Sequence, residues 1–298
     1  MVPMGCVVLL VLLPLVMCQE VRPIFNFAHM VNSIEEVSQF LDEGATAIEF
    51  DVNFHENGTA DDIHHGFPCD CFRNCFKSAD IDEFFDYIRS ITDSDGPYKG
   101  KLLLLLMDMK TSDVPAESQL AAGSDIASRL INHLWNNVPS NQAMNVILSI
   151  ESADEKEILR SAITAIQNHD STLLNRLGFD VGQSSSMEDI GDTYAELNIT
   201  GHRWYDQGIT NCLNFLFDTN QLEAPIADRE ADDVTSFVDK TYFWTTDLKS
   251  TMREVLRLGV DGILTNKPEF VIEVLNEDEF KESVRLANAE DNPWMRIR

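Results

Sequence analysis

The strongest constraint in this sequence is an alternation. Eight apolar segments of strand length recur: "IFNFAH" (24–29), "AIEFDV" (47–52), "LLLLLMD" (102–108), "NVILSI" (145–150), "LGFDVG" (177–182), "TGHRWY" (200–205), "TYFWTT" (241–246) and "DGILTN" (261–266). Between most of them apolar residues recur with helical period, over 80–90, 117–136, 154–167, 186–197 and 249–258. A further helix is predicted to begin after Ser33, with Glu36 completing a capping box. No low-complexity linker divides the chain. Strands and helices alternating through one domain, over residues 19–298, predict a (β/α)8 barrel. A doubly wound open sheet is the alternative, and no Gly-rich strand-to-helix turn of the dinucleotide-binding kind supports it.

The first 18 residues carry no charged side chain, and Val7 to Met17 is an apolar stretch of signal-peptide length. Cleavage after Cys18 is expected, which makes the mature protein extracellular. Four cysteines then remain: Cys69, Cys71, Cys75 and Cys212. In an oxidising compartment they suggest two disulfides, with three possible pairings. Zinc is the competing reading of the three clustered thiols, but C-x-C-x3-C matches no common zinc spacing. Asn57 and Asn198 each open a glycosylation sequon. Charge is lopsided, with 22 Lys+Arg against 50 Asp+Glu and a formal net of −28. So acidic a surface excludes nucleic acid as a partner and is repelled by strongly anionic membranes, leaving zwitterionic surfaces and cations.

In a barrel of this kind the active site lies at the carboxyl ends of the strands. Polar residues cluster there: His29 after strand one, Glu49 and Asp51 on strand two, Asp108 at the end of strand three with Lys110 just beyond. Trp244 and Asp247 follow on strand seven, and Asn266 on strand eight. Glu49 and Asp51 share one face of their strand, roughly 6–7 Å apart, and repel unless something positive sits between them. With Asp108 they form three hard oxygen donors suited to one Mg2+. The competing arrangement pairs an acid with Lys110 and leaves the others hydrated. His29 and His65 can serve as base and acid near neutral pH. His64 is the confounder, since only one of two adjacent side chains in extended chain can face the centre. Trp244 can stack on a quaternary ammonium, and Lys110 can neutralise a phosphate oxygen. Together these residues point to cleavage of a phosphodiester.

Long, ordered stretches carry a resemblance: "RPIFNFAHMVNSIEE", "GATAIEFDVNF", "HHGFPCDCFRNC", "MDMKT", "ITGHRWYDQGITNCL", "TYFWTTD", "GVDGILTNKP" and "AEDNPW". The chain resembles the sphingomyelinase D/phospholipase D toxins of spider venoms and their tick and mite relatives. The resemblance implies a distorted barrel related to glycerophosphodiester phosphodiesterases, with a C-terminal tail that plugs its far end. It implies His29 and His65 as the catalytic pair and Glu49, Asp51 and Asp108 as ligands of one Mg2+. Lys110, Tyr242, Trp244 and Asn266 would line the substrate pocket, and Cys69–Cys75 and Cys71–Cys212 would be the disulfides. Ala28 and Lys267 depart from the family's usual glycine and aromatic. The implied substrates are sphingomyelin and lysophospholipids at zwitterionic membranes, cut by a monomer through attack of the lipid's own hydroxyl on phosphorus, giving a cyclic phosphate. A hydrolase of soluble glycerophosphodiesters and a non-catalytic host-binding protein on the same scaffold are the alternatives.

Overall fold

The computed structural model describes residues 21–296 except 68, 72, 232 and 234, so the expected signal peptide lies outside the described residues. Its strands are β1 (Arg22–Ala28), β2 (Ala47–Phe54), β3 (Ala60–Ile63), β4 (Ala79–Asp80), β5 (Leu104–Met109), β6 (Asn145–Ile150), β7 (Leu177–Val181), β8 (Trp204–Gly208), β9 (Lys240–Trp244), β10 (Gly262–Thr265) and β11 (Val284–Leu286). Eight of them run β7-β6-β5-β2-β1-β10-β9-β8 as one sheet, all parallel. The ring closes through a single parallel bridge between Phe179 and Arg203 and the Phe179 N–H bond to His202 O at 2.9 Å. This is the predicted (β/α)8 barrel, with a loose seam between β7 and β8. The short β3 and β4 form an antiparallel flap on β2, and β11 flanks β1.

Alternation along each strand decides what faces inward. Phe25 and Phe27 on β1, Ala47 on β2 and Leu104 and Leu106 on β5 fill the barrel with Trp204 and Tyr242. Their neighbours Ile48, Phe50 and Val52 on β2, and Leu105, Met107 and Met109 on β5, pack outward on the helices. The same parity turns Glu49, Asp51 and Asp108 into the barrel. β2 and β5 pair in the register Asp51 to Asp108, which brings two of the acids side by side.

Six helices fall close to their predicted spans, α1 (Ile34–Asp42), α2 (Ile81–Thr92), α3 (Gln119–Arg129), α4 (Lys156–Asp170), α5 (Met187–Glu196) and α7 (Lys249–Leu258), while α6 (Glu223–Glu230) and α8 (Pro268–Leu275) were not predicted. Three differences have physical causes. The capping box at Ser33 does not form, because Glu36 is buried and drawn instead to Arg73 at 3.1 Å and Lys77 at 3.0 Å. The span 117–136 is helical only to Arg129 as an α-helix and ends in a π turn over Leu130–Leu134. The sixth stave starts at Trp204 rather than residue 200, since His202 takes a left-handed φ of 65° and turns the chain first.

At the amino end of the staves the barrel is filled by the tail. Trp294 stacks on His202 at 4.9 Å and donates to Asn175 O at 3.0 Å, while Trp204 donates to Pro293 O at 3.2 Å. Gly178 makes room for this, because a Cβ there would lie 2.2 Å from the Trp294 ring. Nearby, Asp261 is fully buried and accepts from Arg229 at 2.5 Å and Lys240 at 3.2 Å. Burial raises that carboxyl, but Lys240, Arg229 and Arg22 outweigh it and hold Asp261 below the usual range.

Candidate active site

His29 leaves β1 at the carboxyl end of the barrel, its backbone N–H bonded to Thr265 O at 3.0 Å. Its Nδ1 sits 3.0 Å from Asn266 Oδ1 and 3.5 Å from Asp70 Oδ2. The Asn266 amide nitrogen is fixed by two carboxylates, donating to Asp70 Oδ2 at 3.0 Å and Asp247 Oδ2 at 3.2 Å. A carboxylate can only accept, so the Asn266 oxygen must face His29, and His29 Nδ1 must carry the proton. Its Nε2 is therefore left with a lone pair, the form a general base needs. Burial lowers the His29 pKa, and the nearby Asp70 and Asp51 carboxylates only partly restore it. Burial would raise Asp70, but His29, Thr210 and Asn266 hold it low.

Asn266, expected in the substrate pocket, thus positions His29 and is itself 7% exposed. Asp70 and its bond from Thr210 Oγ1 at 2.5 Å were missed in the sequence reading. The only hint was an acid locked between Cys69 and Cys71. Asp247 completes the support by accepting from the Asn266 N–H at 2.8 Å and Thr265 Oγ1 at 2.9 Å.

The three acids meet as their strand positions predict. Oxygens of Glu49, Asp51 and Asp108 lie within 4.8 Å of one another. Lys110 Nζ bridges two of them, at 2.7 Å from Asp51 and 2.5 Å from Asp108. Burial, then Asp51 and Asp108, pushes the Glu49 carboxyl well above its ordinary value. Asp51 is also raised by burial, but Lys110, His65 and Asn32 overcome this and lower it. Burial lowers Lys110, and Asp108, Asp51 and Glu49 then raise it well above the ordinary lysine value. One ammonium for three carboxylates leaves negative charge uncompensated. A hard divalent cation fits that oxygen set. The Met30 N–H, at a left-handed φ of 54°, occupies Glu49 Oε2 at 2.7 Å and aims the other oxygen.

A cavity of about 620 Å³ opens over these groups and is lined by His29, His65, Lys110, Tyr242 and Trp244 among others. His65 faces it, while His64 turns to Asp62 at 2.5 Å and Asn53 at 3.0 Å, as adjacent residues in extended chain must. Two further acids escaped the sequence reading. Asp180 receives the Tyr242 hydroxyl at 3.2 Å, and Asp206 receives the Trp244 indole N–H at 2.7 Å. Burial and Asp206 raise Asp180 well above its ordinary value. Asp206 is pushed up to about 7, by burial first and also by Asp108. Asp206 lies past the end of the expected segment 200–205, because its strand starts at Trp204, and Asp180 is a lone acid in a short segment with no second charge on its face to mark it.

Cys71 and Cys212 are joined, with Cα atoms 5.3 Å apart and 141 residues between them in sequence, tying the His65–Asp70 loop to the segment after β8. The implied Cys69–Cys75 bridge is corrected: both thiols are free. They meet as hydrogen-bonding neighbours, with Cys69 Sγ donating to Arg73 O at 3.3 Å. Burial and the adjoining Cys75 push the Cys69 thiol up to about 11, away from the thiolate that exchange requires. Asn57 and Asn198 are both exposed.

Fold and site together define a (β/α)8 barrel protein with a paired-histidine, tri-carboxylate centre at the carboxyl ends of its strands. The chain belongs to the dermonecrotic toxin SPH family, whose profile matches residues 19–294. It is 49% identical over 287 residues to the dermonecrotic toxin SPH of Ixodes scapularis, covering 95% of this chain and 79% of that one. It is 39% identical to dermonecrotic toxin LcsSicTox-betaIC1 of Loxosceles cf. spinulosa, covering 90% of this chain and 97% of the toxin. Similar solved folds include a glycerophosphoryl diester phosphodiesterase from Parabacteroides distasonis, at TM-score 0.54, 13% identity and 93% coverage of each chain. Another is a phosphodiesterase of Oleispira antarctica in complex with sn-glycerol-3-phosphate, at TM-score 0.53, 12% identity and coverage of 86% of this chain and 98% of the other.

Proposed function

We propose that this protein is a secreted, Mg2+-dependent phosphodiesterase of phospholipase D type. It releases the headgroup of sphingomyelin and lysophospholipids and closes the remaining phosphate into a ring. The observation that carries this reading is the His29 tautomer. Asp70, Asp247 and Asn266 place the proton on Nδ1 and leave Nε2 basic, in a cavity shared with His65 and the acid cluster. The lipid hydroxyl gives its proton to His29 Nε2 as its oxygen bonds to phosphorus. The bond from phosphorus to the headgroup oxygen breaks, and His65 protonates the departing alcohol. Holding nucleophile and phosphorus in one molecule replaces a bimolecular encounter with a high effective concentration. Glu49, Asp51 and Asp108 would hold one Mg2+, which supplies positive charge to the phosphate oxygens. Lys110 adds a second positive charge beside it, and Trp244 offers a ring face to a cationic headgroup.

Family membership supports the reading, as does the Cys71–Cys212 disulfide for export. The charge of −28 suits a monomer working on zwitterionic rather than anionic lipid, with no nucleic-acid partner. Phosphorus NMR tests it. Sphingomyelin and lysophosphatidylcholine incubated with protein and Mg2+ give a cyclic phosphate, and EDTA stops its formation. His29→Ala and His65→Ala each slow it by about 10²–10⁴-fold. A second reading, hydrolysis of soluble glycerophosphodiesters, is favoured by the phosphodiesterase folds. An open monoester as first product, or preference for lipid-free diesters, would establish it instead. No turnover of any diester, with tight Mg2+-independent binding to a host protein, leaves only a non-catalytic role on this scaffold.

A further inference from the structure

The histidine pair is a partition between two chambers. On one side lies the acidic cavity. On the other lies a second cavity of about 420 Å³, which shares His29, His65 and Trp244 with the first and adds Cys69, Asp70, Thr210, Cys212, Leu213 and Thr245. The two differ in chemistry. The first is bordered by Glu49, Asp51, Asp108, Glu151, Glu155 and Asp206. The second has one carboxylate, and its oxygens are already engaged. Asp70 Oδ1 takes the Thr210 hydroxyl at 2.5 Å and Oδ2 takes the Asn266 amide at 3.0 Å. What remains to a ligand is mostly carbon and sulfur.

The segments that build this second chamber also carry exposed apolar side chains. Seven large apolar side chains are exposed among the described residues: Phe67, Phe76, Leu120, Leu213, Leu216, Leu248 and Met295. Five of the seven fall on three segments beside the chamber. Phe67 (89% exposed) and Phe76 (82%) lie on the loop that carries His65 and Asp70. Leu213 and Leu216 follow β8, and Leu248 follows β9. The Cys71–Cys212 bridge fastens the first two of these segments together. Leu213 lines the chamber itself, and exposed apolar side chains on the segments that build a cavity suit a contact surface.

We propose that the second chamber and its rim receive the hydrocarbon part of the substrate, drawn from a lipid surface, while the acidic chamber receives the cationic headgroup. This rests on the lipid phosphodiesterase reading and adds to it which half of the molecule lies on which side of phosphorus. A cation is favoured among the carboxylates and disfavoured on the carbon-lined side. A chain laid across Leu213 and the rim leaves water, each methylene adding a constant increment of binding. The arrangement also selects against soluble diesters, which have nothing to place in the apolar chamber.

The test compares hexadecanoyl and hexanoyl lysophosphatidylcholine as substrates, each in mixed micelles of one neutral detergent with Mg2+, by phosphorus NMR. Wild-type protein prefers the longer chain. Leu213→Arg lowers the long-to-short ratio of kcat/KM by about tenfold, the worth of one to two buried methylenes. Leu216→Glu lowers co-sedimentation with phosphatidylcholine vesicles. Leu120→Arg, on the helix α3 surface away from both chambers, changes neither readout. An unaltered ratio in Leu213→Arg, or equal turnover of both chain lengths by wild type, overturns the chamber assignment while leaving headgroup release standing. Absence of any turnover by the wild-type protein overturns the lipid reading itself.

Discussion

His29 is poised by residues that do not touch substrate. Burial strips protons from its ring, and the Asp70 carboxylate opposes this. Removing that carboxylate charge therefore lets the neutral ring persist to lower pH. Asp70→Asn is expected to move the acid limb of the kcat profile downward and to lower kcat by about 10–100-fold, because Asn266 loses a charged acceptor. A pH–rate profile checks both, and a purely structural role for Asp70 would lower activity without moving the limb. Asp70 also shows where sequence reasoning stops at this scale. Glu49 and Asp51 announced themselves because two charges on one face of a buried strand are anomalous. Asp70 lies in a loop whose acid is unremarkable until the fold brings Asn266, 196 residues away, against it. Asn266 was legible as a site residue, but its role as a clamp on His29 depends on Asp247 and Asp70 both facing its amide nitrogen.

Among the elements, the covalent cross-link between Cys71 and Cys212 holds two loops of the site together. It joins the loop bearing His65 and Asp70 to the segment that supplies Thr210 and Leu213. Replacing both partners, Cys71→Ser with Cys212→Ser, is expected to cost about 2–5 kcal/mol of stability, since the closed loop is long. Activity should fall further than stability explains, because the catalytic loop is freed. Urea denaturation beside steady-state rates at a temperature where the variant remains folded separates the two. Strand existence and order were readable here, because apolar runs alternate with helical periods. The seam was not: His202 and its left-handed turn delay β8 to Trp204–Gly208, which carries Asp206 beyond the predicted segment ending at residue 205. Helix α8 also went unread, as "PEFVIEVL" is too apolar and too short to show a polar face.

For the whole molecule, an excess of 28 negative charges makes acid tolerance a question of which carboxylates are paired. Asp261 is the buried one held by Lys240, Arg229 and Arg22. Its folded pKa is depressed below its ordinary 3.8, so its contribution is complete above that pH and is lost as pH falls through the folded value. Asp261→Ala strands the buried cations and is expected to cost about 3–5 kcal/mol near neutral pH. The difference from wild type should shrink below pH 3.8, and thermal melts across an acid series measure it. The barrel class was visible in the chain from its segment order. The second chamber was not, because it arises only where loops far apart in sequence converge.

The seating of Trp294 against His202 and Asn175 fixes the two poles of the molecule. The carboxy-terminal end of the described chain is anchored on the face opposite the catalytic mouth. A resin or sensor chip attached by a short C-terminal handle would therefore hold every copy with its opening turned to the bulk, and immobilised protein should keep access to suspended lipid.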